Sequence, residues 1–198
     1  MHLYAITDRR LFTSREALLT RAAQWSRSGV DYVQIREKDL DAAEMMDLAM
    51  ELVQTVKAAG SRTRVLLNGP VELAVAAGCD GVHLPSNLPA AAIALARRTV
   101  SMVSVSCHDL GEIQTARDQG ATLALFAPVF EKKLGAEIVA GQGLDALAAA
   151  CQAGAPMPVF ALGGVTTENA QDCVRAGAAG VAAIRLFVLG DWRGLKAV

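Results

Sequence analysis

Four segments of the chain repeat one design: GVDYVQI from Gly29, GCDGVHL from Gly78, GATLALF from Gly120 and GAAGVAAI from Gly177. Each opens with a glycine that closes a helical pattern, as the left-handed residue after a helix end does, and each runs on into an apolar stretch. The intervals are roughly 50 residues, room for two βα units apiece, so four pairs make eight units. The intervening strands are LYAIT (3–7), RVLLN (64–68), MVSVS (102–106) and PVFAL (158–162). Helical patterns fill the gaps, beginning with Glu16–Ser28, whose Leu18, Leu19, Ala22 and Trp25 fall at i/i+3/i+4 spacing. Asp41–Ala59, Val71–Ala77, Ala90–Arg98, Leu110–Gln119, Gly143–Ala153 and Thr167–Ala176 complete the series. Strict alternation of short strands and helices predicts an α/β protein with a parallel sheet under helices. Eight units predict a single (β/α)8 TIM barrel over residues 1–198, with a short final helix somewhere in Asp191–Val198.

Composition fits that frame. Hydrophobic residues make up 53% of the chain and aromatics 5%, the aliphatic balance of Val/Leu strands under Ala/Leu helices. A net charge of −1 and the lack of any long basic cluster argue against a nucleic-acid partner. No apolar run approaches the ~20 residues that cross a bilayer. With Asp8, Arg9 and Arg10 so near the start, no signal peptide is expected. Cys79, Cys107, Cys151 and Cys173 are far apart and form no CxxC, so they read as buried small hydrophobes. The expectation is a cytoplasmic protein of one domain without linkers. Its longest irregular segment, Phe130–Gly143, reads as a lid.

Function in such a barrel sits at the C-terminal ends of the strands. In VFALGGVTTEN (159–169) an apolar run stops at Gly163-Gly164, and Thr166 leads into a helical pattern as its N-cap. Glycines let backbone N–H groups approach an anion closely, and a helix N-terminus favours phosphate. This segment and GAAGVAAIRLF (177–187) supply the seventh and eighth strand ends, where phosphate binds in barrels of this kind. Gly163, Gly164, Thr166, Ala183 and Ile184 are therefore the candidate phosphate site. In QIREK (34–38), Gln34, Arg36 and Lys38 share one face at period 2, with Ile35 and Glu37 on the other. Two cations and an amide aimed at a barrel mouth call for an anionic ligand. Asn68 reads equally as a ligand contact or as an Asx-turn. Ser106 offers a hydroxyl to the same mouth, Lys132 a charge in the lid, and His83 and His108 end the fourth and fifth strands. No spacing typical of metal ligands occurs.

The motifs YAITD (4–8), QIREK (34–38), LLNGPVELA (66–74), GCDGVHLP (78–85), SVSCHD (104–109), FAPVFEKK (126–133), FALGGVTTEN (160–169) and AGAAGVAAI (176–184) together resemble the thiamine phosphate synthase/TenI superfamily along nearly the whole chain. The resemblance implies a (β/α)8 barrel acting on phosphorylated thiazole and pyrimidine precursors of thiamine. Gln34, Arg36 and Lys38 would hold pyrimidine and pyrophosphate. Gly164, Thr166 and the backbone near Ala183-Ile184 would hold the thiazole phosphate. The synthase branch joins the two halves, releases pyrophosphate and uses Mg²⁺. Its Asn-Asp pair reads Asn68-Gly69 here, its second Mg²⁺-binding Asp falls near Leu88, and its PTxTK loop is FEKKLG. The LNG, LPS and VFE segments are closer to the TenI branch, which aromatises a thiazole carboxylate phosphate by a proton shift without metal. The histidine of the TenI HVFE pattern is replaced, at Ala127 in APVFE, so the proton carrier is expected among His108, His83 and Glu37. A TenI-like thiazole tautomerase without cofactor is the first expectation. A Mg²⁺-dependent synthase and a non-catalytic phosphate-ligand regulator are the alternatives, and a homodimer is compatible with each.

Overall fold

The computed structural model describes residues 1–60, 62–89, 91–134, 137–190 and 192–196. Its strands are β1 (His2–Ile6), β2 (Tyr32–Ile35), β3 (Arg64–Asn68), β4 (Gly81–Leu84), β5 (Met102–Cys107), β6 (Leu123–Phe126), β7 (Lys132–Leu134), β8 (Glu137–Val139), β9 (Val159–Leu162) and β10 (Gly180–Ala183). All but β7 and β8 lie parallel in one closed barrel, each beside its predecessor, with β6 next to β9 and β10 closing onto β1. The helices are α1 (Arg15–Arg27), α2 (Ala42–Ala58), α3 (Val71–Ala76), α4 (Ala92–Arg97), α5 (Leu110–Asp118), α6 (Gly143–Gly154), α7 (Ala170–Arg175) and α8 (Arg185–Leu189). This is the (β/α)8 barrel that the alternation predicts.

Period-2 alternation sorts the strand residues into two layers. Tyr4, Ile6, Leu66, Leu123, Leu125, Phe160 and Ala182 fill the barrel interior. Leu3, Ala5, Val33, Ile35, Val65, Leu67, Val82, Val103 and Val105 face outward to the helices. Helix α2 meets them with Met45, Leu48, Ala49, Leu52, Val53 and Val56, a stripe at i/i+3/i+4. Its start is fixed by a capping box between Asp41 and Glu44, and Ser14 and Asp109 cap α1 and α5 through Ala17 N–H and Glu112 N–H. The repeat glycines Gly29, Gly78, Gly120 and Gly177 all take positive φ just after a helix, the conformation that explains their recurrence.

The chain closes with α8 and a 3-10 turn, Trp192–Lys196, the expected short end. The Trp25 indole N–H and the Arg21 guanidinium donate to the Phe187 carbonyl, and Arg21 also lies over the Trp192 ring. Cys107 and Cys173 are buried, Cys79 and Cys151 half-buried, and none is in a disulfide.

Three local expectations need correction. Strand β2 ends at Ile35, so Arg36 and Lys38 stand in the loop beyond it. The Arg36 N–H leaves the ladder and donates to Thr7 Oγ1 at 3.0 Å. Thr166 is not a helix N-cap. Asn169 Oδ1 accepts the Thr166 N–H at 2.8 Å and Asn169 Nδ2 donates to the Gly164 carbonyl at 3.0 Å, a side-chain turn that delays α7 to Ala170. The described part of the segment 130–143 is not wholly irregular, because β7 and β8 pair there as antiparallel strands. Its base is pinned by Gln142 N–H to the Pro128 carbonyl and Gly143 N–H to the Val129 carbonyl, both at 2.9 Å.

Candidate active site

The polar side chains inside the barrel form one connected set. Tyr4 on β1 reaches across the barrel, its hydroxyl 3.1 Å from Gln34 Oε1 on β2 and 3.3 Å from Ser104 Oγ on β5, the opposite wall. Ser104 Oγ is 2.9 Å from His83 Nδ1, and His83 Nε2 is 2.9 Å from Ser106 Oγ. His83 on β4 thus stands between two inward-facing serines of its neighbour β5. It is 4% exposed. Burial, helped by the positive charge of Arg36, drives its pKa down from 6.5 to about 3, so the ring is neutral. Only Ser106, half-buried, brings this set out to the mouth.

Around the mouth, Arg36 is half-buried and Lys38 exposed, both in the loop past β2. Among the described residues no carboxylate pairs with the Arg36 guanidinium, although it is close enough to help hold the Asp8 carboxyl below its usual range. Asn68 ends β3 directly beside His83. Glu37 turns the other way: Thr7 Oγ1 and the Arg9 N–H both donate to its carboxylate, at 2.5 and 2.9 Å. Burial nevertheless raises its pKa above 4.5. Glu37 thereby ties the loop after β1 to the loop after β2. Lys132 begins β7, and its side chain lies outside the described residues.

His108, just past β5, is exposed and oriented. Its Nδ1 lies 2.7 Å from the Ala127 carbonyl oxygen, which only a protonated Nδ1 satisfies, so Nε2 takes no part in that bond. The Ala127 carbonyl also accepts from Gln142 Nε2 at 3.1 Å. Residue 127 is not the place of an HVFE histidine, however. The residue directly before Val129-Phe130-Glu131 is Pro128, so that histidine would stand at Pro128. His108 touches the main chain of the preceding residue.

Gly163 and Gly164 form the turn after β9 with φ of 95° and 65°. The segment after β6 lies on them, with Val129 N–H and Phe130 N–H donating to the carbonyls of Leu162 and Gly163 at 2.9 and 3.0 Å. A Cβ on Gly164 would stand 2.5 Å from the Glu131 carbonyl oxygen. These glycines serve close backbone approach as well as any anion. Beside them, Ala183 ends β10 and Ile184 precedes α8, whose first N–H groups have no helical acceptor. Thr166 is exposed at the rim, its N–H already engaged by Asn169.

The residues do not suit Mg²⁺, which relies on one or two carboxylates alongside a ligand's phosphates. Gly69 and Leu88 follow β3 and β4, Glu37 is engaged by Thr7 and Arg9, and Asp8 is held by Arg10. Among the described residues no group of three metal-ligating side chains occurs, and no helix is long and apolar enough to cross a membrane. Sequence reading missed Thr7, Tyr4 and Ser104. The signal for Ser104 was present, since VSVS (103–106) places two hydroxyls on one face of β5.

The sequence profile of thiamine monophosphate synthase matches residues 3–187. A Geobacter sulfurreducens protein, provisionally named a thiamine-phosphate synthase, is 38% identical over 187 residues, covering 94% of this chain and 86% of its own. The thiamine-phosphate synthase of Chloroflexus aurantiacus is 34% identical, covering 96% and 86%. The solved thiamine phosphate pyrophosphorylase of Pyrococcus furiosus superposes with a TM-score of 0.79 at 27% identity, over 98% of this chain and 90% of its own.

Proposed function

The chain belongs to the thiamine monophosphate synthase family, and from that premise we propose that it is an enzyme of thiamine biosynthesis that takes a thiazole phosphate and moves a proton on it without a metal. The observation that carries this reading is His108, just past β5, whose Nδ1–H···O=C bond to Ala127 fixes the ring and, when the ring is neutral, makes Nε2 its accepting nitrogen. It lies beside the position where the TenI pattern places its own histidine. A fixed tautomer with a free lone pair is what a general base needs. The phosphate would rest against Gly163-Gly164, the Thr166 hydroxyl and the backbone after Ala183. The carboxylate of the thiazole would meet Arg36, which adds a guanidinium fork where the described residues offer no counter-ion. Lys38, Asn68 and Ser106 complete the ligand's surroundings, while Gln34, expected there, is 1% exposed and bonded to Tyr4 beneath them; Lys132 would approach from the hairpin. Glu37 braces the loop that carries Arg36. His83, neutral and enclosed, orients Ser106 rather than exchanging protons.

A second reading is favoured by the relatives' names and by the intact QIREK segment: coupling of a pyrimidine pyrophosphate to the thiazole phosphate, with Mg²⁺. The loops after β3 and β4 supply no carboxylate for that ion, so no step is drawn through it.

The two are separated by assaying the purified protein with thiazole carboxylate phosphate in EDTA, and with pyrimidine pyrophosphate plus thiazole phosphate in Mg²⁺. Aromatised product in EDTA, lost by roughly 10²–10⁴-fold in His108→Ala, is the expected result. Thiamine phosphate formed only with Mg²⁺ would overturn it in favour of the synthase, and tight binding with neither product would leave a phosphate-ligand regulator.

A further inference from the structure

The buried polar chain from Gln34 to Ser106 has a direction. Tyr4 owns one hydroxyl proton and faces two oxygens. Gln34 Oε1, at 3.1 Å, carries no hydrogen, so the contact exists only if Tyr4 donates to it. The 3.3 Å contact to Ser104 is then made by the Ser104 proton, donated to the Tyr4 oxygen. Ser104 has no second proton, and its remaining lone pair is what His83 Nδ1 meets at 2.9 Å. Nδ1 therefore carries the ring proton. His83 is neutral, so Nε2 is bare and accepts the Ser106 hydroxyl proton at 2.9 Å. Every donor in the run finds an acceptor, and reversing the Ser104–His83 bond would leave the Tyr4 and Ser104 oxygens facing each other at 3.3 Å with no proton between them.

We infer that Ser104 is a positioning residue: it holds His83 as the Nδ1–H tautomer and so turns the lone pairs of Ser106 toward the barrel mouth. A ligand group seated over Ser106 must then bring an N–H or O–H, or a water that supplies one. Ser104 is 0% exposed and touches no ligand itself, so its influence passes wholly through His83. Only the assignment of Ser106 to the ligand's surroundings rests on the function proposed above. The tautomer does not.

The test uses ligand-free protein labelled with ¹⁵N in its histidine rings, read by long-range proton–nitrogen correlation, with His83→Gln identifying the resonances. Wild type should show Nδ1 protonated and Nε2 bare. Ser104→Ala should transfer the proton to Nε2 in a detectable fraction, and Ser104→Thr, which keeps a hydroxyl, should restore the wild-type pattern. Tyr4→Phe frees the Ser104 proton for Nδ1 and should shift the tautomer in the same sense, which covers an Ala variant that does not fold. An Nε2-protonated wild type, or variants that leave the tautomer unmoved, overturn the inference. With thiazole carboxylate phosphate as probe, Ser104→Ala should raise KM about tenfold, the scale of one hydrogen bond, with kcat nearly unchanged and Ser104→Thr close to wild type. An unchanged KM alongside a moved tautomer refutes the link to Ser106. Failure of wild type to bind the probe refutes the proposed ligand alone.

Discussion

Acid should destabilise this barrel through one histidine more than through its surface charges. His83 is enclosed with its ring neutral, and its pKa in the folded state is lowered from 6.5 to about 3. In the unfolded chain the same ring protonates near 6.5. Between those two values the unfolded state binds the extra proton, so stability rises with pH across that window. The contribution is present in full above pH 6.5 and is lost progressively as pH falls toward 3. Each pH unit within the window corresponds to about 1.4 kcal/mol, so acidification from pH 7 to pH 4 should remove about 3 kcal/mol through this group alone. That is a large share of the ~5–15 kcal/mol that holds a typical domain together.

The assay is urea unfolding followed by circular dichroism at pH 7, 6, 5 and 4, on wild type and on His83→Gln. Glutamine offers hydrogen bonds to Ser104 and Ser106 but has nothing to protonate. Carboxylates that lose their partners in acid, such as Asp8 beside Arg10, act on both proteins and cancel in the difference. Wild type should lead at pH 7 and lose that lead by about 3 kcal/mol at pH 4. Two stability curves running parallel across the range would refute the reasoning, because they would mean that His83 protonates alike in both states. A direct titration of the ring by NMR probes the same point independently of unfolding: the His83 ring must remain neutral at pH 4.

Gly164→Ala should cost about 3 kcal/mol and lower the melting temperature by roughly 6–12 °C. It meets both a left-handed backbone and a collision, with Phe130 Cβ at 2.7 Å and the Glu131 carbonyl oxygen at 2.5 Å. Gly60→Ala is the control, at φ +75 with nothing within 4 Å, and should cost only about 1 kcal/mol; equal losses in a melting scan would discount the backbone contact. Arg36→Ala should leave the melting temperature within about 2 °C of wild type while weakening calorimetric binding of thiazole carboxylate phosphate by roughly 10–100-fold. Unchanged affinity would remove Arg36 from the anion site.

The barrel was legible because its information is local and repeated. Gly29, Gly78, Gly120 and Gly177 each record a helix end through a backbone angle that other residues avoid, and the apolar runs after them can only be strands buried on both faces. What escaped was structure held by single long-range bonds. The Thr7 hydroxyl that takes the Arg36 N–H and donates to Glu37 is 29 and 30 residues from its partners, and nothing in the spelling of QIREK marks where the ladder gives way. The hairpin of β7 and β8 has three-residue strands, too short for a period to register. Asn169 shifted the start of α7 by the same kind of private contact, reaching back to Thr166 and Gly164.

The site divides along the same line, and the division bears on which residue works. Alternation alone brought Gln34, Ser106 and His83 to the inner face, because a strand residue's side is set by parity. Parity stops at Ile35, and Glu37 in the loop beyond is placed by its bonds to Thr7 and Arg9. Nothing local told the two remaining histidine environments apart. His83 and His108 both sit at a strand end, in VHLP and SCHD, yet one is walled in by two serines of the adjacent strand and the other leans on the carbonyl of residue 127, one strand further on. The difference arises from tertiary neighbours, and it assigns opposite chemistry. Enclosure deprives His83 of the water that would stabilise its charge, which makes it a fixed dipole. The carbonyl contact of the exposed His108 engages Nδ1 alone, which is why we propose its Nε2 as the proton acceptor.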